Sequence, residues 1–128
     1  MNRPRFLTLQ RILKIHDASL AEHGGTAGIR DHGLIDSARA SAENTFHYAG
    51  GDLFEIAATY AFHIAESQAF LDGNKRTAIT SAIMFLKLNA VEIIPDEDAL
   101  YNAMIAIAKK RLDKKGLAEI FKKLATSK

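Results

Sequence analysis

Apolar residues recur at three- and four-residue steps along nearly the whole 128-residue chain, and this period restricts the fold more than any other feature. Phe6, Leu9, Leu13, Leu20 and Ala21, with Ile12 and Ile15, predict a helix over about residues 5–22 that stops at Gly24-Gly25. Residues 24–30 hold the densest glycines and predict a loop or a short hairpin. Asp31 and Asp36 flank the next helix start, with Leu34, Ile35, Ala38 and Ala42 as its apolar face. A loop is expected through Phe46, His47, Tyr48 and Gly50-Gly51. Asp52 then opens a helix with Glu55 at capping-box spacing, and Leu53, Ile56, Ala57, Tyr60, Ala61 and Ile64 form its stripe. The segment from Asn74 to Asn89 is apolar over most of its surface, which predicts the central helix. Val91 to Ile94 fits one short strand. Pro95-Asp96 starts a helix ending near Arg111, and an amphipathic helix covers about 114–124.

The expected fold is all-α: one compact domain over residues 1–128, a bundle of about six helices with a short hairpin-like flap. A composition 48% hydrophobic and 25% charged fits a globular chain with a real core. The absence of cysteine excludes disulfides, thiolate zinc sites and thiol nucleophiles. The net charge of +2 argues against a protein that coats nucleic acid or an anionic membrane. That balance hides an asymmetry. Residues 1–16 carry four basic side chains and no acid, residues 17–108 five basic and thirteen acidic, and residues 109–128 eight basic and two acidic. The basic end, with Lys114, Lys115, Lys122, Lys123 and Lys128, lacks interleaved aromatics and reads as a solvated face. No apolar run reaches membrane-spanning length, so a soluble cytoplasmic protein is expected, with no membrane partner and no direct nucleic-acid binding.

The chemistry concentrates in Ser67-Gln68-Ala69-Phe70-Leu71-Asp72-Gly73-Asn74-Lys75-Arg76-Thr77, between two apolar helices. A carboxylate, a glycine, an amide and two cations stand at the start of the expected central helix. Helix N-termini offer unpaired N–H groups and the positive end of the macrodipole, which suits an anion. Gly73 permits close approach, Asn74 can cap the helix or bond a phosphate, and Lys75 and Arg76 can neutralise one. Asp72 could hold a divalent cation. Spacing alone supports a second reading equally: an interhelical turn with solvated cations.

This loop resembles the motif of the Fic/Doc family, His-x-Phe-x-Asp/Glu-Gly/Ala-Asn-Gly/Lys-Arg, with Gln68 in place of the histidine. The resemblance covers nearly the whole chain. Ile15-His16-Asp17, Gly24-Gly25, Gly28-Ile29-Arg30-Asp31 and Gly33-Leu34 resemble the N-terminal helix and flap of the Doc branch, the death-on-curing toxins. Asp52-Leu53-Phe54-Glu55 with Ala58 and Tyr60 resembles its third helix. Lys75 and Ile79 replace the glycine and second arginine of adenylyl-transferring members, again as in Doc. The resemblance implies γ-phosphoryl transfer from ATP, with Mg²⁺, to a protein hydroxyl on a translation factor, elongation factor Tu in this family. It implies that Asp72 holds the metal, that Gly73, Asn74, Lys75 and Arg76 cradle phosphates, and that Phe70 anchors the loop. It implies a flap of Gly24, Gly25, Gly28, Ile29 and Arg30 that aligns the target segment by main-chain pairing. It also implies a cognate antitoxin with a disordered segment that folds on binding.

The family's histidine is the general base. Gln68 cannot titrate near neutral pH, and losing a positioned base costs about 100- to 10,000-fold in rate. The chain is therefore expected to fold and bind but to turn over slowly. The intact remainder of the loop favours a deliberate His-to-Gln change over a degenerate natural toxin. Adenylyl transfer, and a catalytically dead module that binds nucleotide or antitoxin, stand as alternatives. Elsewhere, His63 is expected to be a half-buried structural histidine, and His63 with Glu66 lacks a second ligand pair for a metal. His16 and His23 share a helix face and are expected at the surface. Asp96-Glu97-Asp98 reads as an acidic first turn.

Overall fold

A computed structural model describes residues 3–94 and 96–125. The expectations placed on Pro95 and Lys128 lie outside the described residues. Among the described residues six helices follow in order: α1 (Leu9–His23), α2 (His32–Ala49), α3 (Leu53–Ser67), α4 (Asn74–Leu88), α5 (Glu97–Ala108) and α6 (Lys114–Leu124). The fold is all-α, as the periodicity dictates. Among the described residues, no helix is long and apolar enough to cross a membrane.

The helix starts follow from capping chemistry. Thr8, Asp31, Asp52, Asp96 and Asp113 each accept a first-turn N–H with a side-chain oxygen. At Asp52 the box is complete: Asp52 Oδ1 accepts the Glu55 N–H at 2.9 Å, and Glu55 Oε1 accepts the Asp52 N–H at 2.8 Å. Three boundaries differ from expectation. Residues 5–8 are not helical, Thr8 being the extended cap, yet Leu7 is buried and donates its N–H to Tyr60 Oη at 2.9 Å. The loop expected at Phe46–Tyr48 is helical, because Phe46 packs against Phe6 and the chain turns only at Gly50, in the left-handed region. α5 ends at Ala108, short of Arg111, where Lys110 takes a positive φ.

α3 is the most surrounded helix, packed against α2, α4, α5 and α6, while α4 packs against α1, α3 and α5. The centre is thus this pair, and not α4 alone. Ala57, Ala58, Ala61 and Ala65 let neighbouring helices approach α3, and Ala78 and Ala82 do the same on α4. Tyr60, Phe70, Phe85 and Phe121 are the largest fully buried side chains. Each such burial contributes about 1.5–3 kcal/mol. α6 seats Leu117, Ala118 and Phe121.

The two extended pieces are single bridges. Ile29 pairs antiparallel with Phe70, and Ile93 with Ala125. The flap forms no hairpin of its own. It borrows its partner from the loop before α4, so its geometry is tied to that loop.

Candidate active site

The loop between α3 and α4 is held from three sides. Its first anchor is Phe70, fully buried, whose neighbour Ala69 is 1% exposed. The second is Asn74. Its Oδ1 accepts the Phe70 N–H at 3.1 Å, and its Nδ2 donates to the Phe70 carbonyl at 3.0 Å. The third is the flap. Leu71 N–H donates to Gly28 O at 3.1 Å, and Arg30 N–H to Ala69 O at 2.6 Å. In such a bridge, alternate residues face opposite sides. Phe70 turns its main chain to Asn74, and Ile29 turns its own N–H and C=O outward. The flap therefore presents a main-chain edge on its far side.

Gly73 is the N-cap of α4 at φ 78°, and no side chain caps this helix. Asn74 is its first residue and spends its amide on Phe70, so the capping role expected of it is not taken. Among the described residues, no side chain accepts from the first-turn N–H groups of α4. They open on a cleft of about 480 Å³ lined by Ser19, His23, Gly25, Asp72, Lys75 and Arg76, among others. Gln68, Gly24, Gly73 and Asn74 also reach this cleft. The fold thus brings the loop residues and the two leading flap glycines to one place. Gly28, Ile29 and Arg30 of the flap are not part of the lining.

Asp72 stands at the cleft's centre of bonding. Oδ1 accepts the Gly73 N–H at 2.9 Å and Oδ2 the Thr26 N–H at 3.0 Å. A carboxylate has further lone pairs beyond these two, so it can still meet a cation. A Cβ on Gly25, whose φ is 123°, would stand 2.9 Å from Asp72 Oδ2. Only glycine lets the flap come this close. Among the described residues no cluster of three or more histidine or acidic side chains could hold a metal. A cation on Asp72 would draw its other ligands from water and from an anionic ligand such as a phosphate chain. Arg76 Nη1 lies 3.5 Å from His23 Nε2, at the edge of the cleft. Gln68, the left-handed C-cap of α3, is exposed and donates Nε2–H to Ala65 O at 3.0 Å.

Two histidines behave differently from each other. His23 is exposed, as expected. His16 is 3% exposed, contrary to expectation. It stacks on Phe70 with centroids 3.7 Å apart and places Nε2 2.8 Å from the Asp72 carbonyl oxygen. The signal was present in the sequence: Ile12 stands one turn before His16, on the same stripe. A histidine on an apolar stripe gives no sign of what it bonds, and Thr26 and Tyr101 carried no signal at all. His63 is half-buried and turned to α6, with Lys114 Nζ 3.2 Å from its Nε2. Burial, then the Lys114 charge, lowers its pKa. Glu66 takes Lys110 at 2.7 Å. Neither serves the loop.

Beside this cleft runs a longer groove of about 970 Å³ between α1, α4 and α5. Arg11, Lys14, Ile79, Ile83 and Met84 line it, and Ser19, His23, Arg76 and Tyr101 are common to both spaces.

The chain is similar to known proteins. A protein named Protein kinase doc, from Escherichia phage P1, is 30% identical over 121 residues, which cover 94% of this chain and 95% of the relative. Toxin Doc of Mycolicibacterium smegmatis is 39% identical over 79 residues, 59% of each chain. The Fic/DOC family profile matches residues 6–86, from the tail before α1 to the last turn of α4. The chain therefore belongs to the Fic/DOC family, in its Doc branch.

Proposed function

We propose that this chain is a Doc-type toxin that transfers the γ-phosphoryl group of ATP to a protein hydroxyl. One observation carries the reading. The uncapped start of α4 opens on a cleft that Lys75, Arg76 and Asp72 line together. A phosphate chain seated there meets N–H groups, two cationic side chains and the helix dipole. Lys75 and Arg76 bind and orient the chain, and Gly73 admits it closely. Asn74 acts at one remove, by fixing the Phe70 main chain beneath the seat. Asp72 would hold Mg²⁺, which when bound would offset phosphate charge. The outward main-chain edge of Ile29 suits an extended target segment laid along the flap.

In the reaction, the target oxygen forms a bond to the γ-phosphorus and the bridging β,γ-oxygen bond breaks, releasing ADP. The hydroxyl proton must go to a base. Gln68 occupies the family's base position and its amide cannot take the proton, so this chain binds and orients but transfers slowly. The target in this reading is a translation factor, elongation factor Tu by family resemblance. A cognate antitoxin whose disordered segment folds on binding restrains the toxin in the cytoplasm.

The experiment is a Gln68→His variant given elongation factor Tu and ATP labelled at the α- or γ-phosphate. Transfer of the γ-label is expected to rise about 100- to 10,000-fold over the unaltered chain. Transfer of the α-label alone would replace phosphorylation with adenylylation. Gln68 itself favours a second reading, a nucleotide- or antitoxin-binding module without turnover, and that reading gains if neither label moves.

A further inference from the structure

His16 is joined to Asp72 through a single peptide unit. The ring is fixed, being buried and lying within 12° of parallel to Phe70. A carbonyl oxygen only accepts, so the 2.8 Å contact makes His16 Nε2–H the donor to Asp72 O. In a trans peptide the N–H points opposite to the C=O. The N–H of this unit belongs to Gly73, and it donates to Asp72 Oδ1 at 2.9 Å. The order is therefore imidazole, carbonyl, amide, carboxylate. A donor on the carbonyl polarises the unit and strengthens its N–H. It also opposes rotation of the peptide, which Gly73 at φ 78° would otherwise permit at low cost. Rotated, the unit would face its carbonyl oxygen toward the carboxylate, two acceptors together, and Asp72 would swing from its place.

We infer that His16 is the positioning residue of the Asp72 carboxylate, holding it through the Asp72–Gly73 peptide for a divalent cation that arrives with nucleotide. This rests on the reading of Asp72 as the cation-holding residue. Thr26 completes the support by donating to Oδ2 from the flap. Hydrogen-bonded partners of metal ligands typically govern about 10- to 100-fold of metal affinity, which makes the effect measurable in binding alone.

The test is ATP titration of the full chain by calorimetry, with Mn²⁺ and again with EDTA. The ratio of the two dissociation constants gives the cation's contribution. His16→Phe keeps the ring and the stack on Phe70 and removes the donor. It is expected to lower that ratio about tenfold while the affinity in EDTA stays unchanged. His16→Gln puts an amide N–H at similar reach and is expected to restore most of the ratio. An unchanged ratio in His16→Phe overturns the inference. So does a loss of equal size in EDTA, which would mark a general packing role, or a His16→Gln variant as impaired as His16→Phe. Asp72→Ala separates the two levels. If the ratio survives Asp72→Ala, the cation reading of Asp72 fails and the His16 role with it. If Asp72→Ala abolishes the ratio and His16→Phe leaves it intact, only the His16 role fails.

Discussion

Single side chains decide how the motif loop is held. Asn74 looks on paper like a phosphate ligand or a cap, yet both ends of its amide are taken by Phe70. Removing it strands a buried N–H and a buried C=O. Asn74→Ala is expected to lower stability by about 2 kcal/mol in urea unfolding and to weaken ATP binding with it. A loss of binding without a loss of stability would return Asn74 to the ligands. Tyr60 does similar work away from the cleft. Its hydroxyl accepts the Leu7 N–H where the chain enters the core, and burial raises its pKa above the usual phenol range. Tyr60→Phe keeps the ring but orphans that donor, and about 1–3 kcal/mol of stability should go. The residue types at these positions are legible in the sequence, but their partners are not. Asn74 bonds four residues back, Tyr60 bonds a residue 53 positions away, and His16 reaches 56 positions forward.

The helices were readable because their signals are local. Five caps and two glycine-ended helices follow from neighbours within four residues. Asp52→Ala removes a complete capping box, and a loss of about 1 kcal/mol is expected by thermal unfolding. The non-helical tail at 5–8 and the helical stretch at 46–48 escape a local reading for the opposite reason. Both depend on Phe6 meeting Phe46 and Leu7 meeting Tyr60 across helices. The seam between α3 and α6 adds a pH dependence. Burial and Lys114 lower the His63 pKa from its ordinary 6.5. As pH falls below 6.5, the unfolded chain takes up a proton that folded His63 resists. The unfolded state then holds more protons, so stability rises with pH in this window and is lost as pH drops through it. Unfolding measured between pH 5 and pH 7, a range about the ordinary histidine pKa, should show this slope, and His63→Gln should reduce it. A slope unchanged by the substitution would assign it to other groups.

At the scale of the molecule, α3 and α4 form the spine to which every other helix attaches. One connected core predicts one cooperative unfolding transition, with circular dichroism and tyrosine fluorescence changing together. Two separate transitions would contradict a single domain. The helical class, most of the helix starts and the motif run from Gln68 to Arg76 are legible in the chain's own residues, because these rest on periodicity and on chemistry between near neighbours. Its resemblance to Fic/Doc proteins implies a site on that run. What the run becomes depends on long-range packing. It laid the glycine flap against the loop, buried His16 beneath Asp72, turned His63 away to α6, and left α4 without a side-chain cap at the cleft. Those outcomes depend on packing between segments far apart in the chain. A local pattern specifies which face of a helix is buried, but not which distant group will be waiting there.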